Sequence, residues 1–154
     1  MRSDPRFLTD EMLSGLARWL RAAGHDTAHA PARAADGALV ALAAAENRLL
    51  LTRDRAILER KAAAGLVLVL DGEGMEAWAA ELSARLALDW CAAPFSRCLV
   101  CNAALVAAPE AIGLPPGAHP PVRWCPACRK PYWRGSHVRR MEARLRRWAG
   151  GSSP

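Results

Sequence analysis

Arg6-Phe7-Leu8-Thr9-Asp10, followed by Leu13, Leu16, Ala17 and Leu20 at helical spacing as far as Gly24, is the stretch on which the fold turns. The short apolar run predicts a buried strand, the recurrence after it predicts an amphipathic helix, and Gly24 supplies the helix stop. Strand then helix is the first half of a parallel crossover unit, and the same alternation continues outward from it. Residues 25–30 read as a weak second strand and residues 36–46 as a helix carrying Leu39, Leu42 and Ala43, with Asn47 as its left-handed cap. Residues 48–52 and 66–70 read as buried strands. A helix is expected over 54–63 and another over 73–86, where Trp78, Leu82 and Leu86 share a face. Apolar strands alternating with amphipathic helices predict an α/β domain over residues 1–92, a doubly wound parallel sheet covered on both sides.

Composition narrows the class of protein. With 154 residues and 52% hydrophobic content the chain can bury a core, which excludes disorder and fits one domain plus a small module. Charged residues interrupt every apolar run before it reaches the roughly 18–20 residues of a membrane span, and no signal peptide opens the chain, so a soluble cytoplasmic protein is expected. The net charge of +6 is unevenly spread. Residues 1–122 hold 12 Lys/Arg against 14 Asp/Glu, a balance of −2, whereas residues 123–154 hold 9 against Glu142 alone, a balance of +8. Clustered cations gain affinity for nucleic acid by releasing the counterions condensed on phosphate. The same cluster also reads as a solvated helix face.

The acids of the first domain fall at strand ends. Asp10 follows the first strand, Asp36 opens the helix after the second, Asp54 follows the third and Asp71 the fourth. In an open parallel sheet the carboxyl ends of the strands line the ligand crevice. Carboxylates brought together there repel one another unless a divalent cation such as Mg²⁺ or Mn²⁺ sits among them. Taken singly, Asp10, Asp36 and Asp54 also read as helix caps, and Asp71-Gly72 as an ordinary turn. Glu11, one residue further into the first helix, is a weaker candidate. Arg53 reads either as a phosphate contact or as the partner of a neighbouring acid.

Cys98-Leu99-Val100-Cys101 and Cys125-Pro126-Ala127-Cys128 are two Cys-x-x-Cys knuckles separated by 23 residues, the ligand spacing of a zinc ribbon, here assigned to residues 93–137. Two disulfides are the alternative, which a reducing compartment disfavours. Cys91 is left over as a small buried residue, and His137 is not needed as a ligand. Between the knuckles, residues 107–122 hold five prolines and read as an irregular excursion. Residues 138–154 form a basic helix and tail. Val138, Met141, Leu145 and Trp148 make an apolar stripe, expected to pack on the ribbon or pair with another copy, among Arg139, Arg140, Arg144, Arg146 and Arg147. Arg129, Lys130, Trp133 and Arg134 precede it. Aromatic rings beside arginines stack on unpaired bases while guanidinium groups hold phosphates, so Arg53, Arg129, Lys130, Trp133, Arg134, Arg139, Arg140, Arg144 and Arg147 are the candidate RNA contacts. Core packing around the cysteine site is the competing role for the aromatics.

Several separated motifs carry a resemblance. Phe7-Leu8-Thr9-Asp10-Glu11-Met12-Leu13, Leu16-Ala17-Arg18-Trp19-Leu20-Arg21, Leu50-Leu51-Thr52-Arg53-Asp54, Phe95-Ser96-Arg97-Cys98 and Tyr132-Trp133-Arg134-Gly135-Ser136-His137 resemble the Mut-seven C-terminal RNase family, from about Arg6 to Met141. That family is similar to PIN-domain nucleases carrying a zinc ribbon. The resemblance implies a PIN-like fold and a Mg²⁺- or Mn²⁺-dependent ribonuclease, with the structural Zn²⁺ ribbon assisting RNA binding. Its acidic centre would correspond to Asp10, Asp36 and Asp54, with Asp71 as a fourth member. Ala35-Asp36-Gly37-Ala38 departs from the pattern, with one acid where related sequences often have several. Two rivals stand beside this reading. A phosphoacceptor receiver domain also places acids after its first and third strands, but Asp54 is followed by Arg55-Ala56-Ile57-Leu58 without a Met-Pro pair. A catalytically silent RNA-binding adaptor would keep the basic ribbon without using the acids. Oligomeric state is not legible.

Overall fold

The computed structural model describes residues 4–114 and 116–150; Pro115 of the expected excursion, residues 1–3, and residues 151–154 of the expected tail lie outside them. In chain order the regular elements are β1 (Phe7–Thr9), α1 (Ser14–Ala22), β2 (Thr27–His29), α2 (Asp36–Glu46), β3 (Leu49–Thr52), β4 (Val67–Val69), α3 (Met75–Leu86), β5 (Val106–Ala107), β6 (Arg123–Cys125), β7 (Lys130–Tyr132) and α4 (Ser136–Ala149). The first four strands form one parallel sheet in the order β2-β1-β3-β4. The last three form a separate antiparallel sheet in chain order.

Alternation along the strands distributes the apolar side chains between two cores. Phe7, Leu51 and Leu68 face a cluster with Leu16, Leu20 and Leu82, while Leu8, Leu50 and Val69 face another with Leu39, Val40 and Ala43. Helices therefore cover both faces, with α1 and α3 on one side and α2 on the other. Asn47 takes the left-handed conformation at the end of α2, as expected of Asn at that position. Residues 54–63 differ from expectation, forming two 3₁₀ turns, Arg55–Glu59 and Lys61–Ala63, rather than an α-helix. Only Ile57 and Ala63 are buried there. A single large apolar anchor gives a helix no continuous face to pack, and tight i,i+3 closure costs less order.

The apolar stripe of α4 also finds a partner that its sequence does not name. Met141, Leu145 and Trp148 enter the same core cluster as Phe7, Leu16 and Leu82. The Trp148 ring packs edge-on against Trp19 and Trp90 at centroid distances of 4.9 Å, and its Nε1 donates to Glu76 Oε2 at 2.6 Å. Thus α4 docks mainly on α1 and α3, closing the chain over one face of the parallel sheet. No described helix is long and apolar enough to cross a membrane.

Gly24 shows how tightly the two halves of the chain meet. Its φ is +100°, and a Cβ there would stand 2.4 Å from the Ala93 carbonyl oxygen, because Ala93 N donates to Ala23 O and Phe95 N to Ala22 O. Gly24→Ala should therefore destabilise the protein by about 2 kcal/mol or more, combining backbone strain with a clash against main chain. A urea midpoint unchanged by this substitution would contradict the close approach.

A polar clasp joins the sheet edge to the first cysteine knuckle. The Asp26 carboxylate accepts from Arg48 Nη1 at 2.7 Å, Asn102 Nδ2 at 2.7 Å and Arg6 Nε at 3.2 Å. Burial opposes its ionisation, but these donors outweigh burial and hold its pKa down to about 2. A depressed carboxylate stabilises the fold above its ordinary value of 3.8 and loses that contribution as pH falls towards 2. Asp26→Asn should cost about 2 kcal/mol near neutrality, the scale of charge-assisted hydrogen bonds, and leave Arg48 without its nearest anion. The gap in urea midpoint between the two proteins should narrow below about pH 4; a gap independent of pH would exclude this linkage.

Candidate acidic site and four-cysteine centre

The sheet order creates the site. The chain leaves β1 for β2 on one side and returns across it to β3 on the other, so the C-terminal ends of β1 and β3 flank the point where winding reverses. Such a switch point leaves a crevice, because the connections from the two strands depart in opposite directions. Asp10 and Asp54 follow these two strands. Asp10 N still donates to Leu51 O, extending the ladder by one step. The Asp10 side chain caps nothing, and instead its Oδ2 accepts from Thr52 Oγ1 at 2.8 Å. The same Thr52 Oγ1 accepts from Asp54 N at 3.1 Å. Thr52 therefore couples both acids through one hydroxyl. Asp54 Oδ1 accepts from Ala56 N at 2.9 Å, so the capping role applies to Asp54 and leaves its second oxygen outside that bond.

Asp36 occupies the first turn of α2, where no side-chain cap bond is made, and it is half-buried. Asp71 follows β4, one strand further out, and ion-pairs with Arg55; its backbone N–H and that of Gly72 both donate to Glu81. The ligand oxygens of the four aspartates do not gather as tightly as the cysteine sulfurs do. Among the described residues, the four cysteines form the one His/Cys/Asp/Glu group of three or more whose ligand atoms lie within 4.8 Å of one another.

Those sulfurs meet the demands of a tetrahedral ion. Cys98 and Cys128 Sγ are 3.9 Å apart, and Cys101 and Cys125 Sγ are 3.5 Å apart. Four sulfurs at about 2.3 Å from one ion would be about 3.8 Å from each other. Cys98 and Cys125 are buried, whereas Cys101 and Cys128 face solvent. Each knuckle ends on a left-handed residue, Asn102 and Arg129, which turns the chain back under the sulfurs. Burial pushes the Cys98 thiol up, but hydrogen bonds from Tyr132 and knuckle N–H groups bring it down to about 6. Hydrogen bonding to the neighbouring sulfurs, chiefly Cys101, pushes Cys128 up to about 12. Four sulfurs gathered at these separations could hold one soft cation such as zinc.

The family model of the Mut7-C RNAse domain matches residues 5–145. The chain belongs to this family. No curated protein and no solved structure matches it significantly. An RNase-domain family makes nuclease chemistry the activity class and RNA the substrate class, and the acids and cations can be weighed against that.

The candidate RNA contacts divide by their partners. Arg144 is sandwiched at 5.0 and 4.9 Å over the Trp19 and Trp148 rings and pairs with Glu76, which Arg147 also approaches at 3.6 Å. Arg134 pairs with Glu142, and Arg53 stands 4.0 Å from Glu73 and 5.9 Å over Trp78. No ion pair engages Arg129, Lys130, Arg139 or Arg140 among the described residues, so these four present uncompensated charge. Trp133 is half-buried at the surface between β7 and α4.

Three features of the acidic site escape a reading of the sequence. Glu11 Oε2 accepts from Arg33 N at 2.9 Å, tying the start of the first helical turn to the loop after β2. His29, at the end of β2, shares a 2.8 Å hydrogen bond with Thr9 Oγ1, and burial followed by the Arg21 charge lowers its pKa, favouring the neutral ring. Met12 and Leu58 are 80% and 51% exposed near Asp10 and Asp54 in the chain, apolar surface close to the strand-end acids. A strand-end acid is visible in sequence, but contacts between neighbouring loops depend on strand order.

Proposed function

We propose that the chain is a Mg²⁺- or Mn²⁺-dependent ribonuclease, with a PIN-like catalytic domain and a Zn²⁺ ribbon that assists RNA binding. The observation that supports this most is the placement of Asp10 and Asp54 at adjacent strand ends on the switch point, joined through Thr52. Asp36 and Asp71 would complete the acidic rim, with Arg55 released from Asp71 as the charge of the site changes. Asp10, Asp36 and Asp54 would hold the catalytic cation. When bound, it lowers the pKa of a coordinated water and offsets charge on the scissile phosphate. Thr52 fixes the orientation of the Asp10 carboxylate, and Ala56 N–H fixes that of Asp54. Their remaining lone pairs are directed by these bonds rather than by chance rotamers.

Cys98, Cys101, Cys125 and Cys128 would hold one structural Zn²⁺, and the cytoplasm, a reducing compartment, would keep their thiols available. Arg129, Lys130, Arg139 and Arg140 would supply phosphate contacts, with Arg134, Arg144 and Arg147 contributing less because carboxylates already offset them. A second reading, the silent RNA-binding adaptor, is favoured by the ion pair that occupies Asp71. Cleavage of single-stranded RNA by purified zinc-loaded protein, dependent on added Mn²⁺ and on Asp54, separates the two.

A further inference from the structure

We infer that the cleft between α1, the first cysteine knuckle and the β7–α4 junction is a binding pocket for one unpaired nucleotide of the RNA, its base seated on Trp133 and its phosphate held by Arg18. The inference rests on the proposed ribonuclease reading. The cleft has a volume of about 320 Å³ and mostly apolar walls, contributed by Leu99, Val100, Pro131, Trp133 and Val138. That is at the small end of ligand cavities, which run from roughly 300 to 1,000 Å³, and it suits a single base rather than a duplex. Base pairs in a duplex keep their faces stacked on one another, so only an unpaired base can insert.

Charge complementarity identifies the occupant. Arg18, Lys130 and His137 line the cleft, no acidic residue does so among the described residues, and Arg18 Nη2 approaches His137 Nε2 at 3.3 Å. Neither Arg18 nor Lys130 is ion-paired among the described residues, so both cations are available to a phosphate. The aromatic wall is held in place: a Cβ on Gly135 would stand 3.0 Å from Trp133 Nε1, so the indole lies close over a residue without a side chain. Val100 is 60% exposed beside it, apolar surface that a base would cover.

The cleft also extends towards the C-terminal ends of the strands. A second depression shares Arg18, Leu99 and Val100 with it and runs along α1 past Ser14 and Gly15 to His29. Among the described residues no acid lines it. His29 meets Thr9, the residue before Asp10. A strand anchored by its base at Trp133 would therefore have a depression along α1 leading from Arg18 towards the strand ends that carry Asp10 and Asp54. This arrangement makes the protein selective for single strands and sets cleavage at a fixed offset from the anchored nucleotide.

The test is binding of a fluorescent, unstructured 12-nucleotide RNA to the full zinc-loaded chain carrying Asp54→Asn, compared with its duplex form and with a series in which one nucleotide at a time is abasic. Expected are tighter binding of the single strand than of the duplex, and a loss of about fivefold to a hundredfold concentrated at one or two abasic positions, the range for one base–aromatic stack. Trp133→Ala should weaken intact RNA by a similar factor and abolish the position-specific penalty. Trp133→Phe, which keeps an aromatic face, should retain most of both. Arg18→Gln should lower the salt dependence of binding by roughly one phosphate contact. RNA binding that is insensitive to every abasic position and to Trp133→Ala overturns the pocket while leaving the ribonuclease reading in place. No binding of RNA in either form would overturn both. The abasic series uses unaltered Trp133, so it decides the matter even if a Trp133 variant misfolds.

Discussion

Asp54→Asn should fold normally and yet lose Mn²⁺-dependent RNA cleavage by about 100-fold or more, with Asp10→Asn behaving alike. The amide keeps the acceptor that Ala56 N–H needs, and at position 10 it keeps an oxygen for Thr52 Oγ1, so neither substitution removes a structural bond. What each removes is negative charge at the switch point, the property a hard cation requires. Stability without divalent metal should be unchanged or slightly higher, because repulsion between the acids is relieved. The decisive comparison is wild type and both variants on one single-stranded RNA across a Mn²⁺ titration, with Mn²⁺ omitted as the control. Omission is preferable to a chelator, which would also strip a thiolate-bound ion. Equal cleavage by all three proteins, or wild-type cleavage indifferent to Mn²⁺, would make the silent-adaptor reading the better one. Thr52→Val offers a finer probe: it deletes the hydroxyl that couples the acids while preserving shape, and should raise the Mn²⁺ concentration needed for half-maximal rate.

If the four thiolates hold one zinc, as proposed, Cys125→Ser should release it and unfold the small sheet. Cys125 is fully buried, ends β6 and approaches Cys101 at 3.5 Å, so the substitution removes an interior ligand that no neighbouring residue replaces. Binding of structural zinc is worth about 10–16 kcal/mol in small zinc modules, far more than the two- and three-residue strands of this sheet could supply alone. Loss of order should nevertheless stop short of α4, because Met141, Leu145 and Trp148 are buried against the α/β core rather than around the cysteines. Elemental analysis should give close to one zinc per chain for wild type and little for the variant. Hydrogen exchange should rise across the knuckles and β5–β7 but not across 141–148. Stoichiometric zinc in the variant would overturn the four-thiolate assignment, and collapse of α4 together with the sheet would mean that its docking depends on the metal.

Much of the first domain was legible because its information is local. Residues 36–46 were expected as a helix capped by Asn47 and are found so, since apolar spacing and a left-handed cap each act within one turn. The parallel strands were visible as apolar runs whose two faces are both covered. The two knuckles, with their fixed spacing, predict that four sulfurs come together, and the sulfurs are gathered. Residues 54–63 show the limit of the same reasoning. A helix is expected there from the sequence, but burial of only Ile57 and Ala63 leaves 3₁₀ turns.

What the sequence by itself determined is which side chains must be buried, which turns close the elements, and which four cysteines belong together. Only the tertiary structure decided the order β2-β1-β3-β4, and with it that Asp10 and Asp54, rather than Asp71, share the switch point. It also decided that the stripe on α4 meets Trp19 and Trp90, that Glu76 engages Arg144 and Arg147, and that Trp133 and Arg18 line one cleft. The physical reason is that a hydrophobic face encodes the requirement for cover but not the identity of the cover, because burial is non-directional. Partner choice among charges and aromatic rings follows from which faces the packed core leaves adjacent, a property of the whole chain that no local window contains.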